Sequence, residues 1–255
     1  MTEGSRLIRG LEGVVAAETK LCELDGDNAR LAYVGYNIDD LARKATFEEV
    51  CYLLFFGTLP KAGQLDKITT ELIASREIPQ TLRTAFTLMP KDTDPMRVLQ
   101  AAAAMLGMSD PDATDNSHAA NVRKAIRLTS QVATAICAHH RIRSGQVPVP
   151  PAPDLAHAAN FLYMLTGQRA SAVTVKAFDA CLTLYAEHEL NASTTTTRVI
   201  CSTQSDMHSA VAGGVGAPKG PLHSGAGEAV MHTLRETGEV ANVDAFTEKA
   251  LAEKR

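Results

Sequence analysis

The sequence has no apolar run long enough to cross a membrane and no strong excess of charge of either sign. A membrane-spanning helix needs about 20 consecutive apolar residues, and the opening residues, MTEGSRLIRG, lack the apolar core of a secretory signal peptide. A formal net charge of −4 gives no reason to expect nucleic acid or an anionic membrane as a partner. We therefore expect a cytoplasmic protein with neither kind of partner.

Cysteine is scarce, and the five cysteines are widely spaced without a C-x-x-C pair. This pattern argues against a disulfide framework and against a structural zinc site. His188-Glu189 matches the start of the zinc-hydrolase motif H-E-x-x-H, but position 192 is an alanine, so the second histidine of that motif is missing. We therefore expect neither a metal nor another cofactor.

Helical periodicity dominates the rest of the sequence. Asp25-Gly26, between two short apolar runs, predicts a β-hairpin near the N-terminus. Thr46 and Glu49 predict a capping box, and Gly57 predicts the end of that helix. No alternation typical of a parallel sheet follows. The predicted class is all-α with a small N-terminal hairpin, and 255 residues suffice for a sizeable core.

Further helices are predicted where apolar residues recur every three or four positions. The predicted ranges are 79–88, 95–107, 121–143, 154–165 with Asp154 as cap, 173–187, and 193–212 with Ser193 or Thr194 as cap. Between two of them, the stretch SGQVPVPPAPD contains four prolines, which cannot continue a helix. It predicts an extended surface loop.

Two of the eight histidines are candidates for chemistry. His188 follows the apolar helix predicted at 173–187 and precedes Asn191 and a run of hydroxyl residues. The residues alone leave two interpretations open, because such a run can cap the next helix or bind a ligand. We expect the six histidines at 118, 139, 140, 157, 208 and 232 to lie at the surface or at helix caps.

His223 lies in the stretch KGPLHSGAGEAV, where glycines leave room for a ligand. It stands near a predicted helix N-terminus, whose dipole lowers a histidine pKa and favours the neutral ring. A neutral ring can donate a hydrogen bond to a developing oxyanion. An ordinary turn histidine is the alternative interpretation of this stretch.

Six blocks of the sequence resemble those of the citrate synthase family, bacterial type, in that family's order. They are RGLEGVV at 9–15, YVGYNIDDLA at 33–42, TFEEVCYLL at 46–54, NFLYMLTG at 160–167, HELNAST at 188–194 and KGPLHSGAGEAV at 219–230. The resemblance implies a multi-helix large domain of citrate synthase type over residues 1–224, including the hairpin. It implies that residues 225–255 begin a small domain.

The resemblance also implies an acyltransferase that condenses acetyl-CoA with oxaloacetate to give citrate and CoA, the first step of the tricarboxylic acid cycle. His223 corresponds to the histidine that hydrogen-bonds the thioester carbonyl and stabilises the enolate. His188 corresponds to a histidine that binds oxaloacetate, and Asn191 to an asparagine of the same block. A homodimer and the absence of a metal are further implications. A thioester α-proton is a very weak acid, so its removal needs such an oxyanion partner.

The sequence departs from the family pattern in two places. Ser224 and Gly227 replace a glycine and an asparagine of the block after His223. The chain also stops at Arg255, before the family's second oxaloacetate histidine, its aspartate base and its carboxylate-binding arginines. We therefore expect little or no synthase activity from this chain alone. The alternatives are a 2-methylcitrate synthase that uses propionyl-CoA, and a non-catalytic dimerisation scaffold or inactive fragment.

Overall fold

The structure is a computed structural model that describes residues 17–219, 231 and 233–253. Helices dominate it, which confirms the all-α class. In chain order the strands and α-helices are β1 Cys22–Asp25, β2 Arg30–Tyr33, β3 Tyr36–Asn37, α1 Ile38–Lys44, α2 Phe47–Phe56, α3 Ala62–Ala74, α4 Gln80–Leu88, α5 Pro95–Gly107, α6 His118–Arg143, α7 His157–Thr166, α8 Ala172–Leu184, α9 Ala192–Ser202, α10 Met207–Gly216 and α11 Val243–Ala252.

The predicted hairpin is confirmed and carries one additional strand. β1, β2 and β3 form an antiparallel sheet in that order, with Cys22 opposite Tyr33 and Asp25 opposite Arg30. The Asp25 carboxylate accepts the backbone N–H of Asn28 at 3.1 Å and stabilises the turn between β1 and β2. β3 is only two residues long, too short for an alternating pattern to predict it.

The helix ends predicted from local chemistry are present in α2. The Thr46 hydroxyl accepts the backbone N–H of Glu49, and the Glu49 carboxylate accepts the backbone N–H of Thr46 at 2.7 Å. Gly57 ends the helix with φ +76°, a left-handed conformation that glycine adopts without steric cost. The proline-rich stretch before α7 is non-helical, as predicted.

Several helix boundaries predicted from the sequence are wrong. α6 begins at His118 rather than at residue 121. α8 ends at Leu184 rather than at residue 187. α7 begins after Ala156, and Asp154 instead pairs with Arg169 at 2.8 Å. The single helix predicted for 193–212 is two helices, because the chain turns after α9 and Asp206 caps α10 by accepting the backbone N–H of Ser209.

Two compact units divide the chain. The first comprises the described residues up to Thr69 together with Ser171–Leu190, and the second comprises Thr70–Ala170 and the described residues from Asn191 onward. The core of the first unit is formed by Cys22, Tyr33, Leu41, Val50 and Leu53. That of the second unit includes Leu82, Phe86, Leu106, Leu128 and Ala138. The domain boundary predicted between residues 224 and 225 lies outside the described residues.

A buried ionic network joins α6 and α10 to the loop after α5 within the second unit. The Arg127 guanidinium donates to both carboxylate oxygens of Asp110, at 2.8 and 2.6 Å, and to Asp112 at 2.6 Å. The His208 ring is 1% exposed, and its Nε2 lies 3.4 Å from Oδ2 of Asp110. Gly107 makes room for that ring, since a Cβ there would lie 2.8 Å from the His208 Cβ.

Over the described ranges, no helix is both long and apolar enough to cross a membrane. The same residues contain no group of three or more histidine, cysteine or acidic side chains arranged to hold a metal ion.

Candidate functional site

The predicted site residue His188 lies in the connection between α8 and α9, which we define as residues 185–190. It does not end α8, as the sequence suggested, but follows that helix by four residues. Its side chain is exposed and makes no hydrogen bond or ion pair to any described residue. The imidazole is therefore accessible to a ligand from solvent.

The backbone of this connection is anchored to the N-terminal sheet. The Tyr33 hydroxyl donates to the carbonyl oxygen of Leu184 at 3.0 Å and accepts the backbone N–H of Glu187 at 3.4 Å. The Ala186 side chain packs against the core cluster that includes Tyr33 and Cys22. An exposed ring thus stands on a backbone that is fixed immediately before it.

Glu189, directly after His188, has φ +57°, a left-handed conformation that side-chain-bearing residues seldom adopt. Its backbone N–H faces the thiol of Cys22 in β1. Burial raises the pKa of that thiol, and the N–H of Glu189 works in the opposite direction. Conformations of this kind cost free energy and persist where surrounding contacts enforce them, which is frequent at functional sites.

Asn191 is the N-cap of α9, one of the three residues of the polar run that could cap it, although the predicted helix range began at Ser193 or Thr194. Its side-chain oxygen accepts the backbone N–H of Thr194 at 2.9 Å. Asn191 is the cap because it directly precedes the first helical residue, whereas Ser193 and Thr194 lie inside the helix. Its amide N–H groups have no partner among the residues described, so they remain available to a ligand.

The hydroxyls that follow bond mainly to the backbone of α9 itself. Thr196 donates to the carbonyl of Ala192 and Thr197 to that of Ser193, both at 2.8 Å. Threonines inside helices commonly satisfy their hydroxyls in this way. Capping accounts for Asn191, and bonds to the helix backbone account for Thr196 and Thr197. Neither accounts for His188, for which ligand binding stays the open interpretation.

A cavity of about 360 Å³ adjoins the first turns of α9 within the second unit. Its polar lining comes from α9, and its apolar lining from α5, α10 and the turn after α10. The lining residues are Met96, Ser193, Thr194, Thr197, Arg198, Val211, Gly214, Val215 and Pro218. Hydroxyls beside a guanidinium favour an anionic oxygen over a cation.

The close approach of α10 to α9 depends on two glycines. A Cβ on Gly213 would lie 2.2 Å from Cδ1 of Ile200, and one on Gly214 would lie 2.4 Å from the Thr197 hydroxyl. The small residues of α10 are therefore used for packing inside the chain. His223, the predicted oxyanion partner, lies outside the described residues, as do Ser224 and Gly227.

Sequence reasoning missed that three other histidines are buried. His139, His157 and His208 are 6%, 5% and 1% exposed, which contradicts the prediction that they lie at surfaces or caps. Burial lowers the pKa of His157 to about 4, with the Arg76 charge adding to the effect. Burial also lowers the pKa of His208, although the Asp110 carboxylate opposes it. For His208 no local sequence signal was available, because the residue that makes room for its ring is the distant Gly107.

Comparison with known proteins identifies the family of the chain. The family described as citrate synthase, C-terminal domain, matches residues 10–255. The chain is 43% identical to citrate synthase 2 of Bacillus subtilis (strain 168), over 96% of this chain and 66% of that protein. It is 40% identical to 2-methylcitrate synthase of Mycobacterium tuberculosis, over 96% of this chain and 62% of the relative. It thus spans about two thirds of the length of these relatives.

Solved structures show the same fold. The crystal structure of citrate synthase from Pyrobaculum aerophilum superposes with a TM-score of 0.88 at 34% identity, covering 96% of this chain and 63% of that one. A citrate synthase from Thermoplasma acidophilum, solved as a ternary complex with carboxymethyl coenzyme A and oxaloacetate, gives a TM-score of 0.87 at 29% identity, over 97% of this chain and 65% of that one. The chain therefore belongs to the citrate synthase family.

Proposed function

We propose that the protein condenses acetyl-CoA with oxaloacetate to give citrate and CoA, as a cytoplasmic acyltransferase of the tricarboxylic acid cycle. The observation that carries the proposal is the exposed His188 ring on an anchored backbone, in a chain similar to citrate synthases over 96% of its length. Oxaloacetate carries two carboxylates and a ketone, all acceptors. His188 and the Asn191 amide supply donors that match them.

The three predicted site residues divide the chemistry between them. We assign oxaloacetate binding to His188 and Asn191, and stabilisation of the enolate oxygen to His223. A donor aimed at that oxygen lowers the barrier because its hydrogen bond strengthens as negative charge develops. We further propose that residues after 224 begin a separate small domain. None of these assignments needs a metal.

Calorimetric titration of oxaloacetate into the 255-residue chain tests the binding assignment. We expect His188→Ala to weaken oxaloacetate binding roughly tenfold, because one charge-assisted or strong neutral hydrogen bond is lost. His118→Ala is the matched control, since His118 is also exposed but begins α6 in the second unit. Equal affinities for the wild type and His188→Ala would remove His188 from the site.

A 2-methylcitrate synthase is the second candidate, because the Mycobacterium tuberculosis relative with that name is nearly as similar as the citrate synthases. Propionyl-CoA differs from acetyl-CoA by one methylene, which a pocket distinguishes by only about 1–3 kcal/mol. Measuring CoA release with both thioesters at equal concentrations decides between them. Faster release of CoA from propionyl-CoA than from acetyl-CoA would favour the 2-methylcitrate synthase, and the reverse would favour the citrate synthase.

We also propose a homodimer that forms through α9. Val199 on this helix is 61% exposed, so a partner that packs against α9 would cover it. Val199→Glu should shift the chain toward monomer in sedimentation velocity. Val147→Glu is the control, since Val147 is 80% exposed in the proline-rich loop. If Val199→Glu leaves the dimer unchanged, the interface lies elsewhere. If the wild type sediments as a monomer, the homodimer proposal is wrong.

A further inference from the structure

Tyr33 contacts the backbone at two positions shortly before His188. Its side chain is fully buried in β2, and its single hydroxyl bridges the last residue of α8 and the residue before His188. The two contacts join parts of the chain that are 151 and 154 residues apart. A buried tyrosine whose hydroxyl both donates and accepts restricts the backbone at each partner.

The other side of His188 is restricted as well. The backbone N–H of Glu189 faces the buried thiol of Cys22, which lies opposite Tyr33 in the sheet register. Tyr33 therefore holds the peptide group before His188, and the thiol of the residue opposite Tyr33 lies beside the peptide group after it. The left-handed φ of Glu189 belongs to this enforced path and sets the direction in which the chain leaves the histidine.

His188 itself contributes nothing to this anchoring, since its exposed ring has no hydrogen-bond partner within the described ranges. A ligand-binding side chain is effective when neighbouring residues fix its backbone in advance, because less freedom is then lost on binding. We propose that Tyr33 is a positioning residue for His188 and orients that ring toward oxaloacetate. The inference rests on the proposed function of His188 in oxaloacetate binding.

The chemistry of the phenol suits a permanent anchor. Burial raises the pKa of Tyr33, with the backbone N–H of Glu187 opposing the effect, so the hydroxyl stays protonated at neutral pH. It can then donate to Leu184 and accept from Glu187 at the same time. Phenylalanine would fill the same buried space and make neither bond.

Tyr33→Phe in the 255-residue chain is the principal test. We expect backbone amides of residues 185–190 to exchange with solvent severalfold faster, and the dissociation constant for oxaloacetate to rise roughly fivefold. Tyr36→Phe is the matched control, because Tyr36 is 41% exposed in the neighbouring strand and makes no side-chain hydrogen bond to a described residue.

A double-mutant cycle separates positioning from a general structural role. If Tyr33 acts through His188, then adding Tyr33→Phe to His188→Ala leaves oxaloacetate affinity unchanged. Additive losses overturn the inference, as does an unchanged exchange rate in residues 185–190. Affinity lost in His188→Ala but kept in Tyr33→Phe also overturns it, with the proposed function intact. Two results would count against the proposed function instead: an affinity that His188→Ala leaves unchanged, and a wild type that does not bind oxaloacetate. In either case the exchange rates alone decide whether Tyr33 fixes residues 185–190.

Discussion

The two units of the chain bury polar groups in different ways. In the first unit, a neutral phenol satisfies the backbone around the α8–α9 connection, and the thiol of Cys22 lies beside it. In the second unit, buried charges serve a comparable purpose, with Arg127 bound by Asp110 and Asp112 next to the buried ring of His208. The first arrangement consists of neutral hydrogen bonds, and the second of ionised groups.

The difference has consequences for stability. A neutral hydrogen bond contributes only about 1 kcal/mol net, because the unfolded chain bonds to water instead. A buried ion pair adds little beyond its desolvation cost, but removing one partner leaves an uncompensated charge in a low-dielectric interior. The ionic network around Asp110 should therefore respond strongly to the loss of a single carboxylate, whereas the hydrogen bonds of Tyr33 should contribute less and should not depend on acid.

Asp110→Asn should produce the largest effect. The Asp110 side chain is 2% exposed and pairs with both Arg127 and His208. Its loss leaves the Arg127 charge buried with fewer partners, and we expect the free energy of unfolding to fall by about 3 kcal/mol. Urea denaturation measures this. Asp154→Asn breaks an ion pair whose members are more than half exposed, and should cost less than about 1 kcal/mol. Equal losses in the two variants would contradict the contrast.

The second prediction concerns acid. Burial holds the pKa of His157 at about 4, whereas an unfolded histidine titrates near 6.5. Between these two pKa values His157 is protonated in the unfolded chain but neutral in the folded chain. The stability present above pH 6.5 is therefore lost as pH falls toward 4. Between pH 8 and pH 5 this histidine should remove about 2 kcal/mol of unfolding free energy.

Replacing the ring isolates this contribution. His157→Asn should flatten the dependence of the urea midpoint on pH by that amount, while the remaining slope comes from groups such as His139 and His208, whose pKa values burial lowers too. A slope identical to that of the wild type would mean that His157 does not titrate differently in the folded state.

Tyr33→Phe should have a smaller effect on stability, about 1.5 kcal/mol, because two neutral hydrogen bonds, one of them long, are lost without leaving a charge behind. The loss should be constant between pH 5 and pH 8, since burial raises the pKa of this phenol above its already high ordinary value. Thermal unfolding at several pH values provides the measurement. A loss that varies over this range would show that the first unit also depends on titrating groups.

How far the sequence alone predicts this molecule depends on the distance between interacting residues. The capping box of Thr46 and Glu49 and the stop at Gly57 were predictable, because the partners are three or four residues apart. The contact between Tyr33 and Leu184 spans 151 residues, and no local pattern encodes it. Local signals also could not decide which of several neighbouring polar residues caps α9, Asn191 or the hydroxyl residues that follow it.

The buried histidines also show that local sequence patterns do not predict contacts between distant residues. His208 follows Asp206 and precedes Ser209, a polar context that suggests exposure, yet the partner that accommodates it is Gly107, about a hundred positions earlier. Only the packing of α10 against α5 reveals that this polar stretch begins a buried helix. The block HELNAST supplies the prediction of the candidate site, whereas no local pattern predicts the anchoring of His188 by Tyr33.

The smallest effect on stability is expected at Asn191, the neutral polar residue that begins α9 in the second unit. Serine caps helices as well as asparagine does, so Asn191→Ser should change the unfolding free energy by only a few tenths of a kcal/mol, whereas Asn191→Ala should cost about 1 kcal/mol. Serine has a hydroxyl in place of the amide. If the amide binds oxaloacetate, Asn191→Ser should weaken that binding severalfold with the helix intact. Oxaloacetate affinity that follows helix stability across the two variants would instead make Asn191 a cap and nothing more, and would leave His188 as the binding residue of this run.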